Sequence, residues 1–137
     1  MGYHEEIGIN WNSDSISLLA VWRGSALFLK TRPIVHTIAC GYIEGNELSG
    51  LLVDGDYRRQ GIGSLIVSLR EHRIRTLGYS EAKATVHPTN TAMQRLLGRQ
   101  GYNKSGTKST EFGEYWIYVK TLEKDNGTRS PQSSRTE

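Results

Sequence analysis

Two arginines and two glycines lie close together near the middle of the chain, in the segment Arg58-Arg59-Gln60-Gly61-Ile62-Gly63. Glycines let a backbone approach a bulky phosphate without a Cβ in the way, and arginines add charge and paired N–H donors at its rim. A helix that begins near Gly61 would add unpaired N–H groups and a favourable dipole. The segment therefore predicts a pyrophosphate site, although glycine turns before helices are also common where nothing binds.

Two well-known phosphate motifs do not fit this segment. The dinucleotide-binding fingerprint needs a third glycine, and the phosphate loop of nucleotide hydrolases needs Gly-Lys-Ser or Gly-Lys-Thr, which the sequence lacks. The four histidines and the single cysteine, Cys40, show no metal-ligand spacing, so we expect no metal. The segment must be interpreted from the elements on either side of it.

A strand precedes the segment and a helix follows it. Residues 47–53 end in the apolar run Leu51-Leu52-Val53, which predicts a strand that is buried on both faces near its end. Apolar residues then recur at helical spacing from Ile62 as far as Leu77, and Gly78 is a typical C-terminal stop. A strand that feeds a glycine turn into a helix places the helix N-terminus beside the strand end.

A second strand–helix unit follows the first. Residues 83–87 predict a strand that Pro88 ends, and Thr89 or Asn90 can cap a helix that Gly101 closes. Further strands are predicted at residues 7–11, 26–30, 34–43, 102–105 and 115–119. Near the N-terminus, Ser13 or Asp14 can cap a helix that carries Ile16, Leu19 and Ala20 on one face. The order of elements indicates an α/β fold with a mixed sheet.

Two stretches of the chain resemble the motifs of one known family. The first runs Leu51-Leu52-Val53-Asp54-Gly55-Asp56-Tyr57-Arg58-Arg59-Gln60-Gly61-Ile62-Gly63-Ser64-Leu65 and strongly resembles the acetyl-CoA motif of the GNAT superfamily of N-acetyltransferases. That motif is an apolar strand, a D-x-x-Y/F turn, the pattern Q/R-x-x-G-x-G/A and an amphipathic helix. The second, from Asn90 through Leu96 to Gly101-Tyr102, looks like the family's Asn-opened helix that ends in Gly-Phe or Gly-Tyr.

The resemblance implies the GNAT fold, a mixed central β-sheet whose middle strands splay apart, with helices flanking it. We expect this domain to span residues 1–122. The last stretch, residues 123–137, contains no aliphatic or aromatic side chain and predicts a disordered tail. No apolar run approaches 18 residues and no secretory signal is recognisable, so a cytoplasmic protein without a membrane span is expected.

The resemblance also implies acetyl-CoA as the co-substrate. Backbone N–H groups near Gly61 would hold its pyrophosphate, and the end of the preceding strand would pair with pantetheine amides as an added strand does. Asn90 would contact the pantetheine arm, or serve only as a helix cap. The cofactor-binding residues predicted in this way are Leu51, Leu52, Val53, Arg58, Arg59, Gln60, Gly61, Ile62, Gly63, Ser64 and Asn90.

The resemblance implies direct transfer of the acetyl group to an amine, which requires a base for the amine and a proton for the departing thiolate. Glu47 lies on the motif strand, where several family members carry a glutamate base, and is the predicted base; it could equally be a surface carboxylate. Glu44 is a weaker alternative. The family often places a tyrosine acid seven residues after the motif Asn, but this chain has Leu97 there, which cannot donate a proton.

Other side chains could replace the missing tyrosine. Tyr102 and Tyr115 are the predicted substitutes, although each could be an ordinary core or strand tyrosine. His87 stands at the end of a strand beside the expected site and could act as a base or be structural. If no hydroxyl reaches the sulfur, then water protonates the thiolate or the domain is a catalytically impaired acyl-CoA-binding or partner-binding module.

The acceptor is less constrained than the co-substrate. In this fold, its site is built by the first helix region and the loop between the last two strands, here about residues 12–25 and 106–114. The first region is short and the second is polar, which favours an open groove. An open groove suits an amine on a protein, peptide or aminoacyl-tRNA. Residues 57–108 carry ten basic and two acidic side chains, so a nucleic-acid-directed acetyltransferase is an alternative. The sequence leaves open whether the chain is a monomer or a homodimer.

Overall fold

The structure is a computed structural model that describes residues 4–10, 17–32, 34–57 and 61–123. Its strands are β1 His4–Asn10, β2 Ser17–Arg23, β3 Ala26–Arg32, β4 His36–Glu44, β5 Glu47–Val53, β6 Glu81–Val86, β7 Asn103–Thr110 and β8 Gly113–Thr121. Its helices are α1 Ile62–Thr76 and α2 Thr91–Arg99, and one 3₁₀ turn covers Gly55–Tyr57. The residues of the predicted tail beyond Glu123 lie outside the described residues.

The described strands form one mixed sheet in the order β1-β2-β3-β4-β5-β6-β8-β7. The first five strands form an antiparallel meander, and β6, β8 and β7 form a second antiparallel group. The two groups meet where β5 runs parallel to β6. This confirms the predicted GNAT architecture of a mixed sheet flanked by helices.

One predicted helix is wrong. Leu19 and Ala20, expected on a helix, belong to β2, which lies between β1 and β3 with Ala20 opposite Leu29. The reason is that a period of two also runs through this stretch: Leu18, Ala20 and Trp22 are all buried on one face. Short apolar runs fit either period, and pairing with two neighbouring strands decides in favour of the strand. Ser13, Asp14 and Ile16 lie outside the described residues.

The core lies between the sheet and α1. Ile62, Ile66, Val67 and Ile74 of the helix are fully buried in this core, and α1 lies against β3, β4, β5 and β6. The helix ends as predicted, because Gly78 adopts a left-handed φ of 99° just after it, a conformation that glycine accepts at little cost. Helix α2 packs beside the start of α1, where a Cβ on Gly63 would lie 3.1 Å from Leu96. Both helices therefore cover the same face of the sheet.

Candidate functional site

The sheet opens between its two halves. Strands β5 and β6 pair only at Glu47 with Lys83 and Leu48 with Ala84, although both strands continue beyond these pairs. From Ser49 onward the two parallel strands separate, so their facing edges lack the ladder that a continuous sheet would supply. The sheet thus has an internal gap whose walls offer backbone donors and acceptors, at the carboxyl ends of two parallel strands.

A cavity of about 740 Å³ occupies this gap. Its walls come from both faces of the sheet, since Ala84 and Val86 belong to the helix-covered face and Thr85, between them, to the opposite one. The gap therefore runs through the sheet. Its lining residues are Leu48, Gly50, Leu51, Leu52, Val53, Tyr57, Gly61, Gly63, Ser64, Ala84, Thr85, Val86, His87, Asn90, Ala92, Met93, Leu96, Arg99 and Tyr115.

The N-terminus of α1 forms one end of the cavity. Gly61 occupies the N-cap position with a left-handed φ of 84°, and among the described residues no side chain caps this helix end. The first turn contains no acidic side chain, and Gly63 and Ser64 also line the cavity. The unpaired N–H groups and the helix dipole therefore favour an anion here. Arg58, Arg59 and Gln60, predicted to add to this site, lie outside the described residues.

Helix α2 contributes a second wall. Asn90 caps it, because its side-chain Oδ1 accepts a hydrogen bond of 3.1 Å from the backbone N–H of Met93. Asn90 also lines the cavity, so the cap role and the predicted contact with a ligand are compatible. Met93 and Leu96, one turn further along, supply an apolar surface that faces the end of β5. Only the packing of α2 shows that part of its apolar surface lines a cavity.

Glu47 lies next to the cavity on the face of the sheet opposite the helices. Its neighbour Leu48 is buried under α1, so strand alternation places Glu47 on the other side. The carboxylate Oε2 accepts a hydrogen bond of 3.0 Å from the hydroxyl of Thr85, which itself lines the cavity. Glu44, the alternative base, is exposed and its Oε1 lies 3.4 Å from the hydroxyl of Ser49. Glu47 is thus the carboxylate joined to the cavity by one hydrogen bond.

The two predicted tyrosines have different surroundings. Tyr115 lines the cavity, with its ring 5.5 Å from the ring of His87 and nearly perpendicular to it. Tyr102 is buried in the core beside α1, and burial, followed by the charge of Glu71, raises its pKa well above its ordinary value. It does not belong to the cavity wall. Leu97 is also fully buried in the core and is not one of the residues that line the cavity.

Most of the predicted cofactor residues come together at this cavity. Those that line it are Leu51, Leu52, Val53, Gly61, Gly63, Ser64 and Asn90. Ile62 does not, because it is 1% exposed and packs in the core. Among the residues that were not predicted, Thr85 is the most informative: its alternation between Ala84 and Val86 could have placed it on the face of Glu47 once the strand was known.

No helix in the described part of the chain is long and apolar enough to cross a membrane.

Comparisons with known proteins agree with this geometry. The family model for the acetyltransferase (GNAT) family matches residues 17–102. Among solved structures, a GNAT family acetyltransferase from Elizabethkingia anophelis with acetyl-CoA bound is 14% identical, with a TM-score of 0.61 over 72% of this chain and 77% of that one. No curated protein sequence matches the chain.

Two further solved structures are also similar. The ribosomal-protein-S18-alanine N-acetyltransferase from Escherichia coli is 20% identical, with a TM-score of 0.57 over 74% of this chain and 72% of that one. The NatC complex bound to Gag peptide and CoA contains a chain 15% identical, with a TM-score of 0.61 over 72% of this chain and 71% of that one. At these identities the likeness shows the fold.

Proposed function

Because the chain belongs to the GNAT family of acetyltransferases, we propose that it transfers the acetyl group of acetyl-CoA directly to an amine. One observation carries the proposal: a single cavity is lined both by the gap between β5 and β6 and by the N-terminus of α1, which no side chain of the described residues caps. A long ligand with an anionic end and amide groups along its arm matches these walls. In this arrangement the pyrophosphate lies at Gly61–Ser64, and the pantetheine arm lies along the end of β5.

The two faces of the gap suit the two substrates. The helix-covered face, with the anion-favouring end of α1, suits acetyl-CoA, so the thioester would extend into the gap. The opposite face carries Glu47 and Thr85, and from that side an amine could approach the thioester carbonyl. This separation supports direct attack of the amine on the thioester, with both substrates bound at once.

The reaction requires two proton movements. Glu47 accepts a proton from the attacking amine, whose nitrogen forms the new bond to the acetyl carbon. The carbon–sulfur bond then breaks, and the CoA thiolate leaves with the electron pair. Tyr115 is the hydroxyl that we assign to return a proton to the sulfur, because it lines the cavity whereas Tyr102 lies in the core.

Tyr115→Phe should lower kcat by about tenfold, since water can partly replace a lost general acid. Tyr102→Phe is the matched control, because it removes the other candidate hydroxyl from a site in the core; we expect its kcat to stay within about twofold of the wild type. Steady-state rates of thiol release measure both. A larger loss in Tyr102→Phe than in Tyr115→Phe would contradict the assignment.

The acceptor proposed here is the terminal amine of a polypeptide. The face that carries Glu47 is open, since both described helices lie on the other face, and the turns from β2 to β3 and from β7 to β8 are two residues long. Leu52 and Tyr42 on this face are 70% and 46% exposed. An open surface with apolar side chains suits an extended peptide better than a small enclosed metabolite. A peptide α-amine has a pKa of about 8, so it is deprotonated more easily than lysine.

The proposal is tested by mixing the protein with acetyl-CoA and following free thiol release. Peptides with a free α-amine should react, and the same peptides with a blocked N-terminus or small polyamines should react at least about tenfold more slowly. If no acceptor gives any release of thiol although CoA binds tightly, the result would instead indicate the acyl-CoA-binding module. Salt-dependent retention on RNA, with acetylation of aminoacyl-tRNA only, would indicate the nucleic-acid-directed enzyme.

A further inference from the structure

A buried arginine lies behind the wall of the gap. Arg70, in the middle of α1, has 0% of its surface exposed, and its Nη1 donates hydrogen bonds to three backbone carbonyls. These belong to Gly50 at 2.7 Å, Tyr42 at 3.2 Å and Ser49 at 3.4 Å. Two of the three lie on β5 at the place where it leaves β6.

Burying a guanidinium is costly unless polar groups surround it. Burial lowers the pKa of Arg70 from its ordinary value to about 10, and the adjacent acid, Glu71, forms its ion pair with Lys120 at 3.0 Å instead. Within the described residues, Nε and Nη2 of Arg70 have no hydrogen-bond partner. An apolar residue at this position would avoid the buried charge but would leave the three carbonyls without this donor, so the contact with the carbonyls is what the guanidinium contributes.

The carbonyls belong to a β-bulge. The register between β4 and β5 shifts so that Gly41 pairs with Leu51 and Tyr42 with Ser49, which leaves Gly50 as the extra residue with a left-handed φ of 71°. A bulge removes ladder partners from its own residues, and Arg70 supplies donors in their place. Gly41 leaves room for this contact, since a Cβ there would lie 2.9 Å from Nη1 of Arg70 and 3.0 Å from the carbonyl oxygen of Gly50.

The contact fixes the direction of one peptide group at the cavity. A trans peptide is planar, so its C=O and N–H point in opposite directions. Because Arg70 holds the Gly50 carbonyl on the α1 side, the N–H of Leu51 is directed away from α1. Gly50 and Leu51 both line the gap at this point. An N–H held in this way can donate a hydrogen bond to the thioester carbonyl oxygen. This bond stabilises the negative charge that develops on the oxygen when an amine adds to the carbonyl carbon.

We propose that Arg70 is a positioning residue, which holds the Gly50–Leu51 peptide group so that its N–H polarises the thioester carbonyl of bound acetyl-CoA. This inference rests on the proposed function. Arg70 does not touch the substrate and moves no proton. Its effect reaches the reaction only through the backbone of the bulge.

The test uses acetyl-CoA labelled with ¹³C at the thioester carbonyl, whose chemical shift reports a hydrogen bond to its oxygen without the need for an acceptor. In the wild-type protein, the bound carbonyl resonance should lie downfield of that of free acetyl-CoA. In Arg70→Met it should return most of the way to the free position, while the Kd for acetyl-CoA changes by less than about tenfold. With the fastest acceptor peptide, kcat should fall by about 10- to 30-fold.

Two further variants distinguish a specific effect of Arg70 from a simple loss of folding. Gly41→Ala keeps the arginine but crowds it away from the Gly50 carbonyl, so it should shift the carbonyl resonance in the same direction as Arg70→Met. Arg70→Lys retains one cationic donor and should recover part of the shift and part of kcat. The control is Arg73→Met. Arg73 lies on the same helix, with its guanidinium over the ring of Trp22 at 5.6 Å, and its loss should leave the carbonyl resonance and kcat unchanged.

The outcomes separate the role of Arg70 from the proposed function. If wild-type protein does not bind acetyl-CoA, the proposed function and this inference both fall. If it binds and Arg70→Met and Gly41→Ala leave the carbonyl resonance where the wild type has it, only the role of Arg70 is overturned. An equal shift in Arg73→Met would also overturn it, because the effect would then follow from helix stability and not from the bulge.

Discussion

Gly61→Glu is expected to abolish acetyl-CoA binding, with a Kd at least about 100-fold higher than that of the wild type. Gly61 is the N-cap of α1 and lines the cavity with a left-handed φ of 84°. Any side chain at this φ costs roughly 1–2 kcal/mol. A carboxylate would also place bulk and negative charge at the N–H groups assigned to the pyrophosphate, so it would occupy the anion site itself.

The matched control is Gly78→Glu. Gly78 lies at the opposite end of the same helix with a φ of 99°, and a Cβ added there would have no other atom within 4 Å, so the substitution brings the same strain and the same charge. Titration calorimetry with CoA measures both variants, and thermal unfolding checks that each is folded. Wild-type affinity in Gly61→Glu, or an equal loss in Gly78→Glu, would remove the helix N-terminus as the cofactor site.

Glu47→Gln is expected to lower kcat by about 100-fold or more near neutral pH, with a smaller loss at high pH. Glutamine keeps the shape and can still accept the hydrogen bond from Thr85, but it cannot take a proton from the amine. A peptide α-amine with a pKa of about 8 is mostly protonated at pH 6 and mostly free at pH 9, so the base matters most at the lower pH. The ratio of wild-type to variant rate should therefore fall as the pH rises.

Glu44→Gln provides the comparison for this prediction. It removes the other candidate carboxylate, whose nearest described hydrogen-bond partner is Ser49 and whose side chain does not line the cavity. Rates of thiol release between pH 6 and pH 9 measure both variants with the same peptide. The assignment of Glu47 fails if its pH–rate profile is parallel to that of the wild type, or if Glu44→Gln has the larger defect at low pH.

Much of the proposed cofactor site could be predicted because its signals are local. The end of β5, the glycines at the start of α1 and the cap of α2 each depend on a few adjacent residues. Glycine tolerates the left-handed φ at Gly61, and Asn90 accepts a bond from its own helix. These features are set by backbone sterics and short-range hydrogen bonds, so a single sequence contains them.

The proposed catalytic side of the gap is harder to derive from the sequence, because it depends on pairing between distant strands. Sequence position could not distinguish Tyr115 from Tyr102, since both are tyrosines on or near the last strands. The register of β6 with β8 pairs Val86 with Trp116, so the next residues, His87 and Tyr115, lie side by side, and both line the cavity. Tyr102 instead follows α2 into the core. The same dependence on strand pairing explains why part of the stretch predicted as the first helix is strand β2.

By itself, the sequence determined the strand–turn–helix unit around Gly61, its preference for an anion, and the Asn90 cap that faces it. Only the tertiary structure decided that β5 and β6 separate after Leu48 and Ala84, that Glu47 reaches the gap through Thr85, and that Arg70 lies behind the bulge at Gly50. The physical reason is the range of the interactions. Turns, caps and helix ends are fixed within a few residues, whereas a gap, a bulge and a buried charge exist only between segments that the fold brings together.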